Sequence, residues 1–463
     1  MSTFPLSNFS PLSSSLLHFV LESTLPPPRR STETVLREKW YISRQNTITI
    51  LQTLTIPLKT MKKSLILALS VALLASLSAL SFACTTAVFS GKSTLTGRPM
   101  LWKVRDTDYY HNYVSRHQSP KGWWYIGISN VEDKEGEQIW SGHNERGFGI
   151  MNSASFNVNK GDPASIADRE GYVMRRALEE CETLEDFEKL LDAMVKPMGL
   201  ATHFGVIDAK GGAAIYEVNN YTWTKEDANT APGGYIVRSN YSETGEKDRG
   251  LGYVRACAAR ELLSELDGPV TIGYITNSLS RSLYNAQLGI DYGTEYLKRN
   301  SFAKGFILTD DLMARYDSAS VTITEGVAPG EDPADATSWI QVAQPYICPL
   351  VPIWAWAEVP AELALPQKDA PGATLAELVL EIKEELFPLH TVEQTRYLYL
   401  PVIISKDGTG LMQRIQALEQ ETLPTIHDTK SRRGRKTLTD TYLQRCTELL
   451  RSALETRESL PAH

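Results

Sequence analysis

Residues 81–90 have the sequence Ser-Phe-Ala-Cys-Thr-Thr-Ala-Val-Phe-Ser, which predicts where the folded protein begins and what its first element is. The β-branched and aromatic run after Cys84 favours a strand. A turn that begins at Gly91 and a second apolar run over 100–105 predict the returning strand of a hairpin. Because a hairpin brings the end of its second strand back beside the start of its first, we expect that end to lie near Cys84.

A secretory signal peptide is predicted over residues 61–83. It comprises Met-Lys-Lys at its start, an apolar run over 65–80, and Ser-Phe-Ala before the cleavage site. Cleavage leaves Cys84 as the first residue of a secreted or periplasmic protein. A cysteine after a signal peptide is also a lipidation site, so a lipid-anchored protein is the alternative.

The chain of 463 residues divides into unequal parts. Residues 1–60 are rich in Ser, Thr and Pro, and we interpret them as an upstream extension that is either disordered or the result of a mis-assigned start. Residues 84–425 are long enough for a large catalytic domain. Residues 426–463 are predicted to form a basic linker, at 430–436, and a C-terminal helix.

Composition limits the class of protein. A hydrophobic content of 42% and a charged content of 22% are typical of a globular chain. The net charge of -8 argues against a nucleic-acid partner. The 5 cysteines are widely spaced, so neither a disulfide framework nor a metal site is predicted. Cys181 and Cys257 lie in helical patterns and are expected in the core. We predict no cofactor, no membrane span in the mature protein and a small-molecule amide as partner, and leave homo-oligomerisation open.

The order of elements predicts an α+β fold in which helices cover antiparallel sheets. Besides the hairpin, strands are predicted at 123–128, 147–152, 203–208, 213–218, 234–238, 321–324, 338–343 and 396–405. Helices are predicted over 171–194 with a break near Thr183, over 253–266, and over 438–453.

Cys84 with a free amino group would carry a nucleophile and a base on one residue. A free thiol has a pKa of about 8.5 and an α-amino group one of about 7.7–8.0, so proton transfer between them requires little free energy. Arg105, at the end of the paired strand, can stabilise the thiolate, and Asp108 can hold the amino group. The usual alternative, a Cys–His pair, is weakly supported because the 8 histidines form no recognisable motif.

The opening Cys-Thr-Thr, the hairpin and the Arg-x-x-Asp at 105–108 resemble the linear amide C–N hydrolases of the N-terminal-nucleophile superfamily. These include choloylglycine hydrolases, penicillin V acylases and isopenicillin N acyltransferase-type enzymes. The segment 144–152 is similar to their Asn-Glu-Lys-Gly segment, which places an active-site asparagine at Asn152. The segment 208–240 is similar to their run toward the oxyanion-hole asparagine, which is Asn240 here. The resemblance implies a four-layered αββα sandwich and catalysis by Cys84 through a thioester acyl-enzyme.

Two differences from the bile salt hydrolases leave the substrate open. The interval from Cys84 to Arg105 is longer, and Val321 follows the Ser-rich segment where those enzymes have an arginine. The chain also resembles N-terminal-cysteine dipeptidases. An exported amidase acting on a linear amide is therefore the leading hypothesis. Acyl transfer to an amine, dipeptide hydrolysis and a non-catalytic lipid-anchored binding protein are the alternatives.

Overall fold

The structure is a computed structural model that describes residues 83–456, apart from 134–135, 160, 163, 165–166, 300–301 and 393–394. The predicted extension at 1–60 and the predicted signal peptide, except its last residue, lie outside the described residues. What is described belongs to one compact unit. Across that part of the chain, no helix combines the length and the apolar character that crossing a membrane requires.

Groups of strands alternate with groups of helices along the chain. The strands are β1 (Ala83–Phe89), β2 (Met100–Asp106), β3 (Asn112–Gln118), β4 (Trp124–Asn130), β5 (Ser141–Asn144), β6 (Gly149–Ala154), β7 (Thr202–Ile207), β8 (Ala213–Val218), β9 (Trp223–Asp227), β10 (Tyr235–Arg238), β11 (Tyr284–Asn285), β12 (Ile290–Asp291), β13 (Phe306–Leu308), β14 (Ser318–Glu325), β15 (Thr337–Gln341), β16 (Val351–Ile353), β17 (Leu389–His390) and β18 (Arg396–Tyr399). The helices are α1 (Glu170–Glu180), α2 (Leu184–Asp192), α3 (Tyr253–Ser264), α4 (Ile272–Tyr274) continued by a π-helix (Ile275–Ser280), α5 (Tyr292–Lys298), α6 (Thr374–Leu386), α7 (Leu400–Ile403), α8 (Leu411–Asp428) and α9 (Arg432–Glu455).

Two antiparallel sheets dominate the fold. Sheet 1 has the strand order β10-β1-β2-β14-β15-β16, and sheet 2 is a meander in the order β3-β4-β5-β6-β7-β8-β9. The hairpin of β1 and β2 lies in the middle of sheet 1, where β10 and β14 pair with its two outer edges. The smaller sheets β11-β12 and β13-β18-β17 lie outside this pair.

The sheets are stacked, and helices cover both outer faces. An apolar cluster fills the space between the sheets and consists of Val88, Leu101, Met151, Ile207, Ala213, Ile215, Ala228 and Ile236. The outer face of sheet 2 packs on α1 and α2, for example where Phe204 meets Phe187. The outer face of sheet 1 packs on helices that include α3, α6, α8 and α9. The predicted α+β fold and its αββα layering are therefore confirmed.

Alternation along the central hairpin decides which residues face the second sheet. On β2, Trp102 and Val104 belong to the core on the helix side, whereas Leu101 belongs to the cluster between the sheets. Because successive strand residues point to opposite faces, Lys103 and Arg105 share the inner face with Leu101. Cys84 pairs with Arg105 and therefore lies on the same inner face.

Several sequence predictions can be compared directly with these elements. The break near Thr183 is confirmed, since Thr183 Oγ1 accepts a hydrogen bond from the backbone nitrogen of Asp186 and caps α2. The single strand predicted over 396–405 is wrong beyond Tyr399, because the proline at position 401 fits the first turn of the short helix α7.

Two further expectations are also wrong. The basic linker predicted at 430–436 belongs mostly to α9, which begins at Arg432 and is capped by Ser431. The pairing of Lys436 with Asp440 one turn later stabilises a helix rather than a flexible segment. Cys257 is exposed on α3, whereas Cys181 is buried as expected.

Candidate active site

Cys84 and Arg105 lie directly opposite each other on β1 and β2. Cys84 is 6% exposed and Arg105 is 3% exposed, so both are enclosed by the two sheets. The Arg105 guanidinium donates to Oδ1 of Asn112 at 3.1 Å and lies 4.9 Å from the ring centroid of Trp140. Its Nη2 atom is buried and has no hydrogen-bond partner among the described residues. Arg105 therefore keeps one donor unused among the described residues, and it lies opposite Cys84, as the hairpin predicts.

Asn240 holds the nitrogen of Cys84. Because Ala83 is still attached in this structure, that nitrogen is a peptide N–H and stands in for the α-amino group of a chain that begins at Cys84. It donates to Oδ1 of Asn240 over 2.9 Å, and Nδ2 of Asn240 donates to the backbone oxygen of Ala154 over 2.9 Å. An amide nitrogen carries two hydrogens, so Asn240 retains one further donor.

Arg255 is a site residue that the sequence did not indicate. It lies on α3 and is 2% exposed. Its Nη1 donates to the backbone oxygen of Cys84 at 2.8 Å and to Oγ1 of Thr85 at 2.6 Å, while its Nη2 donates to Oδ1 of Asn240 at 2.8 Å. Gly252 at the start of α3 has a φ of 77°, and a side chain there would meet Nη2 of Arg255 at 2.4 Å. The glycine thus leaves room for the guanidinium.

Asn152 takes part in a second buried network. Its Oδ1 accepts a hydrogen bond of 2.5 Å from Nζ of Lys103, and its Nδ2 donates to Oε2 of Glu170 at 2.5 Å. Nζ of Lys103 also donates to the backbone oxygen of Trp140 at 2.8 Å. Nζ of Lys103 can only donate hydrogen bonds, so the atom of Asn152 that faces it must be the amide oxygen. The amide nitrogen of Asn152 therefore points toward Glu170.

Three buried cations therefore surround Cys84. Burial lowers the pKa of Lys103 to about 8 and the pKa values of Arg105 and Arg255 to about 10. A negative charge on Cys84 opposes this lowering in all three, and for the two residues on β2 it is the largest opposing contribution. The described charged groups that interact with Cys84 in this way are thus positive.

Asp108, which was predicted to hold the amino group of Cys84, has no hydrogen bond to the Cys84 nitrogen in the described structure. It is exposed, two residues past the end of β2, and acts on Arg105 only through its charge. The nitrogen of Cys84 is held by Asn240 instead. The buried acid at this end of β2 is Asp106, which accepts from Nη2 of Arg315 at 2.8 Å. Asp106 is the last residue of the strand and pairs with Ala83, so it stays within the sheet, whereas Asp108 has left it.

Sequence reasoning missed Lys103 on the inner face of β2 for a physical reason. The pattern Trp-Lys-Val-Arg at 102–105 is that of a strand with one solvated face, and only the second sheet turns that face into an interior. A lysine two positions before the arginine on this face was a usable signal for Lys103. Arg255 offered none, because it is one of two arginines in α3 and no motif distinguishes it from the other.

Comparisons with known proteins give low similarities. No family model matches the chain, and no curated protein matches its sequence. Among solved structures, a Caenorhabditis elegans ortholog of N-acylethanolamine-hydrolyzing acid amidase is similar at 13% identity with a TM-score of 0.33, covering 52% of this chain and 92% of its own.

Two bacterial enzymes are similar at a comparable level. A mutant conjugated bile acid hydrolase from Clostridium perfringens has 11% identity and a TM-score of 0.31, with coverage of 60% of this chain and 93% of its own. Penicillin V acylase from Agrobacterium tumefaciens has 13% identity and a TM-score of 0.31, with coverage of 58% and 86%. At similarities this low, the function has to be inferred from the geometry of the site.

Proposed function

We propose that the protein is an exported amidase that hydrolyses a linear amide bond, with the N-terminal Cys84 as nucleophile and its own α-amine as base. The observation that carries this proposal is the position of Cys84. It lies opposite Arg105 in the middle of sheet 1, and Asn240 accepts a hydrogen bond from its nitrogen. A peptide nitrogen cannot act as a base, so the proposal requires that the chain begin at Cys84.

Each group has a role in the proposed reaction. The α-amine takes the thiol proton, the sulfur forms a bond with the amide carbon, and the carbonyl electrons move to oxygen. Breaking the C–N bond releases the amine, which takes the proton from the α-ammonium. Water then adds to the thioester, the C–S bond breaks, and a carboxylic acid leaves. We assign two donors to the oxyanion, Nη2 of Arg105 and the remaining Nδ2 hydrogen of Asn240. We assign Asn152 as a helper that contacts the leaving group.

The burial of Ala83 limits when the chain could be cut to give an N-terminus at Cys84. Ala83 is 3% exposed and pairs with Asp106 inside sheet 1. A separate peptidase needs an accessible, extended segment, so cleavage by one has to precede folding, as signal peptidase cleavage during export does. Lipidation of Cys84 would require its sulfur to leave the space between the sheets. This burial therefore supports a free mature cysteine over the lipid-anchored alternative.

The proposal is tested on protein that begins at Cys84. N-acyl amino acids, penicillin V, conjugated bile salts and dipeptides are incubated with it, and released amines are quantified. The acyl-enzyme is sought by mass spectrometry as an acyl adduct on the Cys84 peptide that hydroxylamine removes. Turnover with an adduct on Cys84 supports the proposal, and turnover that persists in Cys84→Ala overturns it. Adding a second amine distinguishes hydrolysis from acyl transfer by the product formed.

A further inference from the structure

Lys103 is a buried lysine without an anionic hydrogen-bond partner. It is 1% exposed, and both of its hydrogen-bond acceptors within the described residues, Oδ1 of Asn152 and the backbone oxygen of Trp140, are neutral. Removing an ammonium from water is costly unless a negative charge compensates it. The position of Lys103 therefore calls for an anion nearby.

The carboxyl groups near Lys103 do not fully compensate its positive charge. Burial, reinforced by the charge of Asp168, raises the pKa of Glu170, which favours the neutral form of this side chain. Burial also raises the pKa of Asp168. Asp106 is bound by Arg315 and Ser318 and lies 3.9 Å from Arg255. None of these three carboxyl groups has Lys103 as a hydrogen-bond partner.

Cys84 is placed to supply the missing charge. Thr86 pairs with Lys103 and Cys84 pairs with Arg105, so Lys103 is the diagonal cross-strand neighbour of Cys84 on the same inner face. Diagonal neighbours have Cα atoms about 7–8 Å apart, which a long side chain can span. The negative charge of Cys84 is also the largest influence that favours the charged form of Lys103.

We propose that Lys103 is a positioning residue for the nucleophile: its ammonium, held in place by Asn152 and Trp140, adds a second positive charge beside that of Arg105 and stabilises the thiolate of Cys84. The inference rests on the proposed role of Cys84 as nucleophile. It assigns Lys103 an electrostatic effect on the sulfur, not a proton transfer to substrate.

Alkylation of Cys84 by iodoacetamide measures thiolate formation without any substrate. The rate is followed from pH 5 to pH 10 by mass spectrometry of the Cys84 peptide, in protein that begins at Cys84 and carries Cys257→Ser to remove the exposed thiol. Lys103→Met should move the midpoint of the profile upward by about one pH unit, which is about a tenfold slower reaction at pH 7. Lys103→Arg should restore most of the rate. A Lys103→Met profile that coincides with that of the parent protein overturns the proposal.

Lys383→Met is the matched control. Lys383 is also buried, with its Nζ 3.6 Å and 3.9 Å from the ring centroids of Tyr110 and Tyr316, and burial lowers its pKa to about 7. Its charged neighbours are Asp317, Glu384 and Arg396, not Cys84. Its loss should leave the alkylation profile unchanged. An equal shift in this control would show that loss of any buried lysine alters the thiol, and would also overturn the proposal.

A reciprocal measurement needs no change at Lys103. In protein labelled with 13C-lysine, the titration of the Lys103 side chain is compared between the parent and Cys84→Ala. Coupling between two groups is mutual, so removing the thiolate should lower the titration midpoint of Lys103. An unchanged midpoint contradicts the proposal. Amidase activity retained in Cys84→Ala would instead contradict the proposed function, so the two failures are distinguishable.

Discussion

The nitrogen of Cys84 donates a hydrogen bond to Oδ1 of Asn240 over 2.9 Å, although 156 positions separate the two residues in the chain. The contact forms because β1 pairs with β10 as far as Thr86 and Arg238, and two more residues along each chain segment bring Asn240 level with Cys84. Arg255 reaches the same oxygen at 2.8 Å. An acceptor facing two donors is thus in place at the nitrogen of Cys84 in the chain that carries Ala83.

Cys84→Ser should abolish nearly all amidase activity while leaving the fold intact. A hydroxyl has a far higher pKa than a thiol, so the α-amine cannot deprotonate it as readily. Retaining Ala83 before the native Cys84 should be similarly damaging, because the nitrogen is then an amide. Initial rates and circular dichroism on the three proteins check this. Turnover by the Ala83-bearing protein at the mature rate would exclude the α-amine as base.

Asn240→Ala should lower kcat by roughly 10²–10³-fold with little change in KM, because an oxyanion donor acts mainly in the transition state. Asn240→Asp should be at least as damaging. It keeps an acceptor for the Cys84 nitrogen but loses the donor to the backbone oxygen of Ala154 and places a negative charge beside the oxyanion. Steady-state kinetics on both variants check this prediction. If Asn240→Asp is much more active than Asn240→Ala, the main role of Asn240 is to accept the hydrogen bond from the Cys84 nitrogen, and its assignment as oxyanion donor is wrong.

Arg255→Met should reduce kcat by about 10²-fold or more and also lower stability, because it removes the guanidinium donor from the backbone oxygen of Cys84 and one of the two donors from Oδ1 of Asn240. Arg260→Met is the control, since Arg260 lies on the same helix but is half exposed and binds Tyr241 and Val237. Urea unfolding and kinetics are measured on both variants. Equal losses in the two would contradict a specific role for Arg255.

The first hairpin and the break between the first two helices were predictable because their determinants are local, whereas the αββα layering was an expectation from the family resemblance. The β1–β2 hairpin follows from turn residues between two apolar runs, and the cap at Thr183 follows from its hydroxyl and the acidic residue three positions later. The prediction of a linker at 430–436 was wrong because a run of basic residues occurs both in linkers and on solvent-exposed helices. The pairing of Lys436 with Asp440 one turn later was the signal for a helix.

The candidate site was predictable only in part. Cys84 and Arg105 could be placed together because one hairpin joins them. Arg255 could not, because it reaches the backbone oxygen of Cys84 only when a helix distant in the chain packs on sheet 1. Lys103 lies on the same hairpin as Cys84, but its burial also depends on packing between segments far apart in the chain. The covering of the inner face of β2 by sheet 2 is such a long-range event, and it converts a pattern typical of a solvated strand face into a buried cluster of cations.

Glu217→Gln should destabilise the protein at neutral pH through the segment that follows Asn240. Both carboxylate oxygens of Glu217 are used: Oε1 accepts from Nε of Arg238 at 2.9 Å and from the nitrogen of Glu243 at 2.9 Å, and Oε2 accepts from Thr244. Burial opposes the charged form, but these bonds, with the charges of His203 and Arg238, outweigh it and lower the pKa of Glu217 to about 2.

A carboxyl whose pKa is lower in the folded than in the unfolded state stabilises the fold above its unfolded pKa, and that contribution is lost as the pH falls through the folded value. Urea unfolding at pH 7 should therefore show Glu217→Gln less stable than the parent by about 2 kcal/mol. The difference should shrink between about pH 4.5 and pH 2, because the unfolded chain already binds the proton there, whereas the folded Glu217 takes it up only near pH 2. Glu226→Gln, which alters the exposed partner of Arg238, is the control and should show a much smaller difference. A stability difference for Glu217→Gln that stays constant over this pH range would show that the ionised carboxylate is not what holds the segment.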